Sequence, residues 1–145
     1  MVDMLGPGVA PDIRAAADQI RISQWREIGT LTGWLELVGA PPQAPAAPDD
    51  HHGAHTGPTA AMPGMASNEE LTRLYHAAGR DRDILFLQLM IRHHQGGVEM
   101  AAAAADSTAP AVRARAVSMV NGQQQEIASM SVLLHQRGGQ VLPFP

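Results

Sequence analysis

Apolar positions return every three or four residues along three stretches of the chain, the spacing that lines one face of a helix. Over residues 11–38 the set is Ile13, Ala16, Ala17, Ile20, Ile28, Leu31, Leu35 and Val38, with Gln24 as a polar member. Pro11 and Asp12 suit a first turn, and Gly39 followed by Pro41 and Pro42 makes a stop. The two glycines inside this stretch, Gly29 and Gly33, each cost roughly 1 kcal/mol against Ala in helix propensity, so close helix–helix approach is expected there. A second long helix is predicted over 81–105, with Asp81 and Asp83 at the end where the helix dipole favours acids. A third begins after a Ser107 or Thr108 cap, with Pro110 in its first turn, and ends at Gly138 and Gly139. Ser67 and Glu70 form a capping box for a short helix from about Asn68 to Gly79. Residues 1–9 show no period and are expected to be a disordered lead.

The first and last long stretches repeat each other. Ala10–Pro11–Asp12–Ile13–Arg14–Ala15 falls on Ala109–Pro110–Ala111–Val112–Arg113–Ala114 at an offset of 99, and Gln24, Glu27, Ile28, Leu35 and Gly39 fall on Gln123, Glu126, Ile127, Leu134 and Gly138. The predicted fold is all-α, of ferritin-like or four-helix-bundle type, built from helical hairpins with three long helices and one short. Residues 1–39 are read as the tail helix of an incomplete first hairpin, 67–140 as a complete helical hairpin unit and 141–145 as a tail. Residues 40–66 carry six prolines and are read as a linker.

Composition narrows the function classes. The chain has 145 residues, enough for one domain with a core, and only 3% aromatics, so aliphatic and Met side chains must fill it. A net charge of -4 argues against a nucleic-acid partner. With no cysteine, disulfides and thiolate metal sites are excluded, and an oxidising compartment is a comfortable setting. No apolar run is long enough to span a membrane, and the first residues lack the basic and apolar regions of a signal peptide.

The concentrated chemistry lies in the second long helix. Phe86, Met90, His93, Gly97, Met100 and Ala104 share one stripe; Leu87, Ile91, His94, Val98 and Ala101 share the next. Imidazole binds copper, zinc, iron and nickel, whereas thioether sulfur selects Cu(I) or Ag(I), so His93 and His94 with Met90 and Met100 are best matched to Cu(I). Met119, Gln123, Glu126 and Met130 keep helical spacing on the last helix and could line a facing seam, although Met at that spacing is commonly core filler. The adjacent histidines lie about 100° apart, so one is expected to point into the bundle and the other to its edge. Glu99 and Glu126 are also consistent with solvated charges. In the linker, His51, His52 and His55 with Met62 and Met65 read equally as a metal collector or as a polar loop.

Enzymatic alternatives find no support. There is no Glu-x-x-His for a di-iron bundle, no His-Glu-x-x-His for a zinc protease, no nucleophile elbow and no phosphate loop. The expectation is a non-enzymatic protein binding Cu(I) or Ag(I) for sequestration or delivery. The alternative is a structural or interaction module in which the histidines serve packing; a metal-dependent oxidoreductase is a remote third.

The sequence also resembles a known family. Asp83, Phe86–Leu87, Met90–Ile91, His93–His94, Gly97 and Met100–Ala101, followed by Pro110–Ala111–Val112–Arg113, Gln124–Gln125–Glu126–Ile127 and Met130, resemble the signature of the DUF305 family. The resemblance covers 62–139, with 10–39 similar to the tail of a first copy. It implies a ferritin-like helical bundle without a di-iron site, an extracytoplasmic location (a cytoplasmic one staying open), and in some members copper or silver bound through His and Met. Carried over, that role falls on Met90, His93, His94 and Met100, then on Met119 and Met130. Arg92 stands where many members have the proline of Met-Ile-Pro-His-His. Because the first copy lacks its leading helix, the apolar face of the 11–38 helix is expected to be covered by a second chain in a homo-oligomer.

Overall fold

A computed structural model describes residues 1–41 and 62–144. These residues fold into four helices, α1 (Pro11–Leu37), α2 (Asn68–His76), α3 (Gly79–Ala104) and α4 (Pro110–Gln136), after a 3₁₀ turn at Val2–Met4, and no strand occurs among them. The architecture is the expected all-α bundle of three long helices and one short.

The helix ends follow local chemistry. α1 and α4 both start with Pro at the first helical position, where the missing N–H would have no partner. Both close in the same Schellman turn. In α1 the amide of Ala40 donates to Leu35 O and that of Gly39 to Glu36 O; in α4 Gly139 donates to Leu134 O and Gly138 to His135 O. Gly39 and Gly138 take the positive φ that this turn requires, 67° and 66°. The two helices therefore begin and end at positions that the sequence repeat equates.

The capping box of α2 is present: Glu70 N donates to Ser67 Oγ at 3.1 Å and Ser67 N to Glu70 Oε2 at 2.8 Å. This helix ends at His76 rather than Gly79, because Ala77 and Ala78 are extended and Gly79, at φ 53°, opens α3. At α4 the expected Ser107 or Thr108 cap is not used. Ala109 is the N-cap residue, and Ser107 turns its hydroxyl to the Ala109 amide and its carbonyl to Arg113.

The lead is not disordered. Val2 and Leu5 are buried in the main core, Arg14 Nη2 donates to Leu5 O and Gly6 O at 2.7 and 2.8 Å, and Arg82 Nη2 donates to Pro7 O at 3.0 Å. Two arginines from different helices thus supply the hydrogen bonds that a segment without its own secondary structure needs. The core beneath joins Ile13, Ala17 and Ile20 of α1, Leu74 of α2, Phe86, Leu87, Leu89, Met90 and Ile91 of α3, and Met130 and Leu134 of α4. α3 is the central helix, paired along its length with α4, while α1 lies across both.

Candidate metal centre

The adjacent histidines of α3 diverge as their 100° separation requires. His94 is 1% exposed, and both of its ring nitrogens are engaged. Nδ1 lies 2.9 Å from Met90 O, one helical turn back, and Nε2 lies 2.8 Å from Glu126 Oε2 on α4. A carbonyl can only accept, so Nδ1 donates to it, while Nε2 pairs with the Glu126 carboxyl. Glu126 Oε1 takes a further hydrogen bond from Ser23 Oγ of α1 at 2.6 Å. Burial works against the charged carboxylate of Glu126, but the bonds from His94 and Ser23 outweigh it and hold its pKa below the usual value. With both ring nitrogens partnered, His94 is committed to the contact that links three helices.

His93 is only half-buried, and neither ring nitrogen makes a hydrogen bond among the described residues. Burial, and after it the neighbouring His94 charge, lowers its pKa, so the imidazole is held neutral, the form that ligates metals. It faces a cavity of about 490 Å³ between the second half of α1 and the α3–α4 hairpin. Met65, Met100 and Met119 line the same cavity, with Gln24, Glu27 and Leu31 of α1 and Gln123 of α4. Burial raises the Glu27 pKa, opposed by Arg115 and Gln123.

Met65 arrives by a close backbone approach. Segment 63–64 runs against α3 so tightly that a Cβ on Gly96 would collide with the Pro63 carbonyl, and one on Gly64 with the Arg92 carbonyl. Arg92 fastens the same segment with paired bonds to Glu70, 2.9 and 2.6 Å, and one to Met65 O at 3.4 Å. Arg92 lies within an unbroken α3 and anchors the segment to it.

The remaining residues singled out by sequence separate. Met90 is buried and, with His93, lines a neighbouring hollow of about 240 Å³ that Trp25 also borders. Met130 is a core residue, 1% exposed, edging a different hollow between α1 and α4 with Ile20 and Glu126. Met62 is exposed beside Arg92 and Glu70, away from His93. Glu99 is exposed. His51, His52 and His55 lie outside the described residues. Ser23, Gln24 and Glu27 were not anticipated at the site, although the repeat that equates Gln24 and Glu27 with Gln123 and Glu126 was the signal for the latter two. Among the described residues no group of three or more His, Cys, Asp or Glu side chains is placed to hold a metal ion.

No relative is found among curated proteins. Solved structures similar to this chain include two DUF305 proteins. A DUF305 protein of Streptomyces coelicolor, described as a candidate secreted protein, shares 32% identity with a TM-score of 0.77, over 92% of this chain and 80% of that one. A DUF305 fragment from Deinococcus radiodurans shares 32% identity with a TM-score of 0.74, over 88% and 78%. The family profile described as a domain of unknown function, DUF305, matches residues 1–134, from the 3₁₀ turn through nearly all of α4. The chain belongs to the DUF305 family.

Proposed function

We propose that this chain binds a soft monovalent ion, Cu(I) or by the same chemistry Ag(I), in the cavity between α1 and the α3–α4 hairpin, for sequestration or delivery. The observation that carries this reading is the uncommitted imidazole of His93 sharing one cavity with the thioethers of Met65, Met100 and Met119. Imidazole fixes a position, and thioethers favour the reduced ion over harder divalent ones. At about 490 Å³ the cavity is far larger than an ion, which favours exchange with a partner over permanent caging. The candidate secreted relative from Streptomyces and the absence of cysteine favour an extracytoplasmic setting.

His94 acts in this reading as a positioning residue, because its contact with Glu126 of α4 sets the rotation of α3 that aims His93 at the cavity, while the bond to Met90 O fixes the ring on its own helix. A non-metal interaction module is the second reading, favoured by the exposed apolar residues Trp25 and Leu37 on α1. An anaerobic Cu(I) competition titration against a chromophoric chelator separates the two. It compares the wild type, His93→Ala and a chain with residues 49–61 replaced by Gly-Ser. Tight binding lost with His93→Ala supports the cavity; loss only on replacing 49–61 assigns collection to that segment. A wild type that never competes leaves the interaction module.

A further inference from the structure

The second half of α1 has an outward face opposite the one that enters the core. At 100° per residue Ile22, Trp25, Gly29, Gly33 and Glu36 lie on that side, with Arg26 on its flank. Ile22 and Trp25 are 45% and 67% exposed. Among the described residues nothing lies within 4 Å of the place a Cβ would take on Gly29 or Gly33, so no packing among them explains the glycines. Arg26 and Glu36 form no ion pair among the described residues.

We infer that this face is the contact for a second copy of the chain, packed antiparallel with Gly29 across from Gly33 of the second copy. The self-complementary charge is the argument. In that register Arg26 stands level with Glu36 of the second copy, and the two-fold axis repeats the pair, so two attractions frame the glycines. The same register sets Trp25 level with Leu37 of the second copy, which is 84% exposed in the protomer. The glycines let the two backbones approach and give the bulky residues beside them somewhere to seat. A face with one arginine and one glutamate carries no net charge to draw it to an anionic membrane, whereas it complements itself. The contact lies on the side of α1 away from the core and does not depend on a metal in the cavity.

Sedimentation velocity on the full chain, from about 1 to about 100 µM, tests this. The wild type is expected to dimerise. Arg26→Glu and Glu36→Arg each place like charges together twice and should raise the dimer dissociation constant about tenfold or more, while the double exchange restores it to within about threefold. Gly33→Leu, whose Cβ meets nothing among the described residues, should weaken the dimer while helicity and the monomer's melting temperature hold or rise, as helix propensity alone predicts. A wild type that stays monomeric through this range overturns the inference, including one that instead binds anionic vesicles. So does a dimer indifferent to Gly33→Leu, or a double exchange as weak as its single parents.

Discussion

His94 Nε2 and Glu126 Oε2 meet at 2.8 Å across the contact between α3 and α4, and the other oxygen of that carboxylate reaches Ser23 on α1. One carboxylate thus joins three helices that share no turn. Its second effect falls on the neighbour. With His94 held inward, His93 must emerge about 100° round the helix, which brings it to the α1 side and the methionine-lined cavity.

The two histidines should therefore separate stability from metal affinity. His94→Ala removes a fully buried ring and leaves Glu126 without its main partner, a combined cavity and unpaired-charge effect of about 3 kcal/mol. His93→Ala, at a half-buried position with no hydrogen bonds to lose, should cost less than about 1 kcal/mol while removing most Cu(I) affinity. Urea unfolding of both variants beside the Cu(I) titration is the measurement. Equal unfolding midpoints would mean that the His94–Glu126 contact does not hold the helices.

Acid unfolding should report the Arg92 anchor. Hydrogen bonding to Arg92 holds the Glu70 carboxyl down to about 2, against an ordinary 4.5. A carboxyl whose folded pKa is depressed stabilises fully above its unfolded value, and the contribution disappears as pH falls from about 4.5 towards about 2. Because the pair is partly solvated, about 1–2 kcal/mol is the expected size. Arg92→Gln should lower the urea midpoint at pH 7 by that much and converge on the wild type near pH 2. Asp12 and Glu126, also held low, keep part of the acid dependence in the variant. A constant gap at every pH would contradict this assignment.

Glycines of similar sequence context should respond in opposite directions. Gly96→Ala sets a methyl group against the Pro63 carbonyl, forces segment 63–64 off α3 and should cost about 2–3 kcal/mol. Since that segment carries Met65, Cu(I) affinity should fall with it. Gly29→Ala meets nothing within 4 Å among the described residues and should gain up to about 1 kcal/mol of helix propensity at protein concentrations where the chain is monomeric. Thermal melting of the two variants decides. An unperturbed Gly96→Ala would show that the approach of 63–64 to α3 is loose.

These contrasts mark how far the sequence could be read. Most helix ends were legible because their signals are local: Pro11 and Pro110 at first turns, Gly39 and Gly138 at Schellman turns, Ser67 with Glu70 as a box; the end of α2 and the α4 cap were not. The lead was not, because the hydrogen bonds that fix it come from Arg14 and Arg82, which sequence spacing does not connect to Leu5, Gly6 and Pro7. The divergence of His93 and His94 followed from helix geometry. Which of them turned inward depended on Glu126 lying opposite, a tertiary fact. Met65 reached the cavity through the Gly64 and Gly96 approach, which leaves no periodic trace, whereas Met130 kept perfect helical spacing and went to the core.

The methionines give the sharpest division of roles. Met100 is 47% exposed and lines the His93 cavity together with Met65 and Met119, so exchange of any of these for Leu changes the donor while nearly preserving volume and apolarity. Each of Met65→Leu, Met100→Leu and Met119→Leu should weaken Cu(I) binding by about tenfold, near 1.4 kcal/mol, with unfolding within about 0.5 kcal/mol of the wild type. Met130, 1% exposed among core residues, should behave oppositely: Met130→Ala costs about 2–4 kcal/mol, and Met130→Leu leaves Cu(I) affinity unchanged. A Zn(II) titration run alongside separates soft-donor binding from binding by imidazole alone, because loss of a thioether matters little to zinc. If the three cavity variants bind Cu(I) as tightly as the wild type, the thioethers are packing and the cavity is not the site. If Met130→Leu weakens binding instead, the donor set lies in the hollow between α1 and α4, and His93 is not its centre.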